Sequence, residues 1–108
     1  MEDLTKEQQH FIITLYKNYL DRISTMPKDK ARAFPDAAYI KENIFPSYSL
    51  DEIISICRDL HRAGYVTCKY YDNQVFHVTI TDKTIIYMEN RFSNGIKEIA
   101  KFLTNFIP

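Results

Sequence analysis

From Ser49 to Ile80 the chain reads SLDEIISICRDLHRAGYVTCKYYDNQVFHVTI, and few folds accommodate that order of signals. Ser49 with Glu52 three residues on is a capping box, in which each side chain satisfies a backbone donor of the first helical turn. Leu50, Ile53, Ile54, Cys57 and Leu60 then recur at helical spacing, so one stripe faces a core. The other face carries Asp51, Glu52, Ser55, Arg58, Asp59 and Arg62. Gly64 supplies the left-handed residue on which helices commonly end. The spacing predicts a helix over 50–63 and a β-hairpin over 65–80.

The hairpin poses a problem of phase. A two-residue turn at Asp72-Asn73 would pair Tyr70 with Val75, and Phe76, Val78 and Ile80 would then share a face with Thr67, Lys69 and Tyr71. Shifting the pairing by one residue turns a whole strand over. A three-residue loop, Asp72-Asn73-Gln74, gathers Val66, Cys68, Tyr70, Phe76, Val78 and Ile80 on one inner face, and Asn tolerates the positive φ it needs. The three-residue loop is the expectation. Thr67, Lys69, Tyr71, Val75, His77 and Thr79 then face outward.

The remaining elements read as support. Thr5 and Gln8 form a second capping box, opening a helix over 5–26 with Phe11, Ile12, Leu15, Tyr16, Tyr19, Leu20 and Ile23 in its stripe. With Ile13 the apolar arc widens to about 200°, twice what a surface helix needs. PKDKARAFP, from Pro27 to Pro35, has no periodicity and holds Lys28, Lys30 and Arg32. It reads as a solvated loop, or as one that touches phosphates. Asp36 caps a short helix over 37–44, and Phe45 pins the following turn into the core ahead of Pro46. Thr81 caps a helix over 82–92, and Ser93-Asn94-Gly95 separates it from a last helix over 96–107. The apolar arc of that last helix is about 160°. The fold class expected is α+β, mostly helical, one domain over residues 1–108.

With 108 residues, 45% hydrophobic and 26% charged, the chain is rich enough for a core and too apolar for disorder. MEDLTKEQQ is not a signal peptide, and no apolar run approaches membrane length, so a cytoplasmic protein with no membrane partner is expected. Fourteen basic residues balance fourteen acidic ones, so no bulk charge draws the chain to nucleic acid. Cys57 and Cys68 fall on core faces and read as buried free thiols.

Catalysis finds no support: there is no glycine-rich phosphate loop, nucleophile elbow or HExxH, so no enzyme and no cofactor is expected. Cys57 and His61, at i and i+4, with Cys68 and His77, have the inventory of a zinc site. The chosen hairpin phase turns His77 away, so no metal is expected. Alternating aromatics beside Lys69 suggest base stacking, but cross-strand packing explains them more simply.

The segment LHRAGYVTCKYYDNQVFHVTITDKTIIYMENR resembles winged helix-turn-helix domains, with a two-stranded wing and two C-terminal helices. Its cues are Leu60, Gly64, Tyr65 and Val66 at the helix exit and the Ile-Thr-Asp-Lys run from Ile80 to Lys83. The chain as a whole is similar to small YjcQ-type proteins of prophages and bacterial genomes. The resemblance implies binding of double-stranded DNA, by a regulator or accessory protein of a mobile element. It would place Tyr48, Ser49, Ser55, Arg58 and Arg62 on the recognition helix and Lys69, Tyr71 and His77 on the wing. Asp51 and Glu52 depart from that pattern, since carboxylates in the first turn repel phosphates. A module that binds another protein is the alternative. Ile13, Phe102 and Phe106 lie at the margins of the over-wide apolar arcs and are expected at a homodimer interface.

Overall fold

The computed structural model describes residues 1–106. Its elements are α1 (Lys6–Arg22), α2 (Lys28–Ala31), β1 (Ala33–Asp36), α3 (Ala37–Asn43), α4 (Leu50–Arg62), β2 (Val66–Tyr71), β3 (Gln74–Ile80), α5 (Asp82–Arg91) and α6 (Ile96–Thr104). Six helices accompany one antiparallel sheet, so the class is α+β. The strands lie in the order β1-β3-β2, with β3 in the middle.

Helix boundaries follow local chemistry. Both capping boxes form, Thr5 with Gln8 on α1 and Ser49 with Glu52 on α4. Asp36 caps α3 through its side chain, which accepts the Tyr39 N–H at 2.7 Å. Gly64 leaves α4 at φ +86°. Thr81 occupies the N-cap of α5 but turns its hydroxyl away, donating to the carbonyls of Gly64 and Tyr65. The buried Thr84 hydroxyl donates to the same Tyr65 carbonyl at 2.7 Å. Those bonds fasten the start of α5 to the turn between α4 and β2. The expected last helix ran to Ile107, which lies outside the described residues.

α1 is the central helix. It packs against α2, α4, α5 and α6, so its wide apolar arc is consumed inside the molecule. Ile13 is 0% exposed. Its place at a dimer interface is therefore corrected: a helix with neighbours on several sides needs more than a one-sided stripe. Phe11 stacks on Phe45 with ring centroids 4.6 Å apart, which fixes the turn between α3 and α4 as the sequence implies.

The basic stretch before Asp36 is not a loop. Lys28–Ala31 forms one helical turn, and Ala33–Asp36 is an edge strand paired with β3, Ala33 opposite Thr79 and Asp36 opposite Phe76. Pro35, which has no N–H to donate, is tolerated because β1 has a neighbour on one side only. Arg32 donates to the Ile80 carbonyl and pairs with Asp82 at 2.6 Å, while Arg22 donates to the Ala33 carbonyl. These arginines hold the strand in place, and Arg32 is not free for phosphate.

The hairpin corrects the expected phase. Tyr71 pairs with Gln74 and Tyr70 with Val75, so the turn is the two-residue Asp72-Asn73, with φ of +49° and +61°. Primed turns of this kind match the twist of the flanking strands. The face conflict is resolved elsewhere. Between the pairs Thr67–Thr79 and Lys69–Phe76, β3 holds one more residue than β2, a bulge at which His77 adopts φ +52°. The extra residue restores the inward alternation, so Val75 faces in near the tip while Val78 and Ile80 face in at the base, all three 0% exposed. Val75 is thus a core residue, not an outer one, and Phe76 is only half-buried.

Candidate nucleic-acid interface

α4 carries a strong division of charge along its length. Its first turn holds Asp51 and Glu52, and Glu52 accepts the Ser49 N–H at 3.0 Å. That backbone bond holds the Glu52 carboxyl below the usual range, so the N-terminal end stays negative. The cations lie toward the C-terminal end, Arg58 and Arg62, with the Lys83 ammonium donating to the Ala63 carbonyl at 2.9 Å. This polarity also complements the helix dipole, which by itself favours acids at the start and bases at the end.

Arg58 and Arg62 are both exposed, as the sequence implies. Arg58 lies over the Tyr70 ring, its guanidinium carbon 5.5 Å from the centroid. On the same ring His61 is stacked nearly parallel, 5.5 Å between centroids and 9° between planes, and its Nδ1 lies 3.1 Å from the Tyr70 hydroxyl. Arg58, His61, Arg62 and Tyr70 together line a shallow depression of about 320 Å³. Arg62 is 3.6 Å from Asp59, but its side chain is 73% exposed, so this ion pair costs little to exchange for another anion.

The eight residues expected to touch DNA do not share one surface. Ser49 spends its hydroxyl on the Glu52 N–H, and thirteen helical residues, about 20 Å of rise, separate it from the end of α4. Tyr48 is half-buried against Phe45, and its carbonyl accepts from Lys41 at 2.6 Å. It belongs to the support of the α3–α4 turn. Ser55 is exposed and sits midway along the helix. Lys69 and Tyr71 alternate with Tyr70 along β2, so they project from the far side of the sheet, and Tyr71 is 70% exposed there. His77 is exposed at the bulge.

Two residues of the cluster are absent from the expected set. Tyr70 lies on the inner face, as the sequence implies, but near the end of β2, opposite Val75 and over the flank of α4, where it is 42% exposed. His61 reads from the sequence as a metal ligand beside Cys57. Its helical spacing of three from Arg58 places both on the same flank, and that signal was available.

Cys57 and Cys68 are buried, unpaired by any disulfide, and face one another, Cys68 Sγ lying 3.9 Å from the Cys57 carbonyl. The neighbouring thiol and burial push the Cys57 thiol well up, so it stays neutral. Among the described residues no group of three or more His, Cys, Asp or Glu side chains could hold a metal ion. Nor is any helix among them long and apolar enough to cross a membrane. Comparison with protein-family models, with curated proteins and with solved structures finds no match to this chain.

Proposed function

We propose that the protein is a winged-helix DNA-binding protein, with α4 as its recognition helix and β2–β3 as its wing. The observation that carries this reading is the element order. Setting aside the single turn of α2, the order from α1 to β3 is helix, strand, helix, helix, strand, strand, with the first strand added outside the hairpin as β1-β3-β2, and that order supports a winged-helix reading. Arg58 and Arg62, exposed around the Tyr70 ring at the junction of α4 and the hairpin, support the reading as the groups that would hold phosphates or reach a guanine edge. With no net charge on the chain, non-specific attraction is weak, and occupancy of a site rests on specific contacts. A regulator or accessory factor of a mobile element is the role that the resemblance to YjcQ-type proteins implies.

A protein-binding module is the second reading, favoured by Asp51 and Glu52, which are exposed where a recognition helix enters the groove. Selection from a random duplex pool, followed by anisotropy titration at two salt concentrations, separates the two. DNA binding predicts that Arg58→Ala with Arg62→Ala weakens the selected duplex by ~1–3 kcal/mol if either reads a base. If both hold phosphates, the salt slope falls by about two. Recovery of no duplex at low salt would leave the protein-binding reading.

A further inference from the structure

On the side of the molecule formed by α5, α6 and the start of α1, a groove of about 730 Å³ has an aromatic floor and a cationic rim. Phe92, Phe102 and Phe106 make the floor, Phe102 standing edge-on to Phe92 at 5.5 Å and tilted against Phe106 at 5.4 Å. Arg91 lies across it, its guanidinium 4.6 Å from the Phe102 centroid and 5.2 Å from that of Phe92. Lys6 and Lys101 stand at the edges. None of these three cations has a carboxylate within salt-bridge distance among the described residues; Arg91 donates only to the Tyr87 hydroxyl. The single acid of the lining, Glu98, already accepts the Asn94 N–H at 3.1 Å.

We propose that this groove binds a small carboxylate with an aromatic or other apolar body. The volume lies within the range of small-molecule sites, roughly 300–1,000 Å³. The floor offers aromatic edges and faces for the body, and Arg91 offers a planar fork for the carboxylate. A second copy of the chain is the poorer occupant. A two-fold contact through this groove would set Lys6, Arg91 and Lys101 against their own counterparts with one committed carboxylate per copy to offset them. Phe102 and Phe106, expected at a homodimer interface, are on this account the floor of a ligand site. The proposal is independent of DNA binding.

The test is a ¹H–¹⁵N titration of the full chain with 2-naphthoate, with 2-naphthamide as the neutral isostere. Naphthoate should give saturable shifts confined to the amides around Phe92, Phe102 and Phe106. Naphthamide should bind about tenfold more weakly or worse, because it forfeits the charge-assisted bonds. Lys101→Glu, at an exposed position, should lower naphthoate affinity by a similar factor with the rest of the spectrum unchanged, and Arg91→Gln should do the same. Absence of saturable shifts, equal binding of naphthamide, or shifts centred elsewhere would each overturn the assignment. So would a light-scattering mass near twice 12.8 kDa that Phe106→Asp returns to the monomer value, which would give the groove to a second copy.

Discussion

The register of the hairpin decides which wing residues reach α4, and Val75→Ala tests it. Val75 is 0% exposed and pairs with Tyr70, on the side of the sheet that carries Cys68 and Val78. Shortening it to alanine removes two buried carbons, worth about 0.8 kcal/mol each in transfer free energy. The void they leave adds about 1 kcal/mol more at about 24 cal/mol per Å³, since a close-packed core relaxes only in part. The expected loss is therefore ~2–3 kcal/mol, a drop in melting temperature of about 10 °C or more for a domain of this size. Tyr71→Ala is the internal control. Under a three-residue loop Tyr71 and Val75 would form a cross-strand pair on the outer face, and both changes would cost little. With the observed turn Tyr71 is 70% exposed, and its loss should stay within about 0.5 kcal/mol. Urea denaturation of both variants, with unchanged m-values, gives the comparison. Equal and small losses would refute the register, and with it the place of Val75 in the core.

Three further outcomes follow from particular contacts. Gly64→Ala should destabilise by ~1–2 kcal/mol in the same assay, because φ +86° is strained for any L side chain while the added carbon meets only the Lys83 chain at 3.6 Å; a neutral result would mean that the turn relaxes out of the left-handed region. The Tyr65 carbonyl accepts from the Thr81 N–H and from both the Thr81 and Thr84 hydroxyls, so Thr84→Val alone should cost under about 1 kcal/mol. With Thr81→Val added, the double-mutant cycle should show a coupling of at least ~0.5 kcal/mol, and strict additivity would separate the two hydroxyls. Burial holds the His10 imidazole below its ordinary value of 6.5, with Phe45 and Phe106 around it and Nδ1 buried without a partner. The unfolded chain then takes up that proton first, so the contribution of His10 to stability is intact above 6.5 and declines as pH falls below it; His10→Phe should flatten that part of the stability–pH curve, and an unchanged slope would absolve His10.

Local signals carried most of the helices. The box at Ser49 and Glu52, the spacing of Ile53, Cys57 and Leu60, and Gly64 lie within one helix and need no knowledge of the rest of the chain. Nothing comparable marks Ala33–Asp36, where a proline interrupts four residues whose partner strand is remote in sequence. Ile13 was legible as apolar but not as interior, because the width of its arc cannot distinguish an exposed patch from a helix surrounded by others. The hairpin failed for a subtler reason. The face conflict of the short turn is real, but a single histidine in the left-handed region absorbs it, and no glycine announces the bulge. Arg58 and Arg62 were found because exposed cations on a periodic helix stand out. Tyr70 and His61, which complete their surroundings, carry no such mark: an inward aromatic on a strand reads as packing, and a histidine one turn from a cysteine reads as a metal ligand.

The place of β1 in the chain has a consequence for the order of folding. β2 and β3 meet through a two-residue turn, so their pairing can start as soon as both strands exist. β1 must wait for a partner forty or more residues downstream, until α3, α4 and the hairpin have taken shape. The entropy of closing so long a loop grows only with the logarithm of its length, so distance delays the strand more than it weakens it. During that interval β3 presents an unsatisfied row of donors and acceptors to whatever strand arrives first. Changes that loosen the grip of Arg22 and Arg32 on Ala33–Asp36 should lengthen the interval, and the product to look for is a dimer in which each copy's β1 closes the sheet of the other.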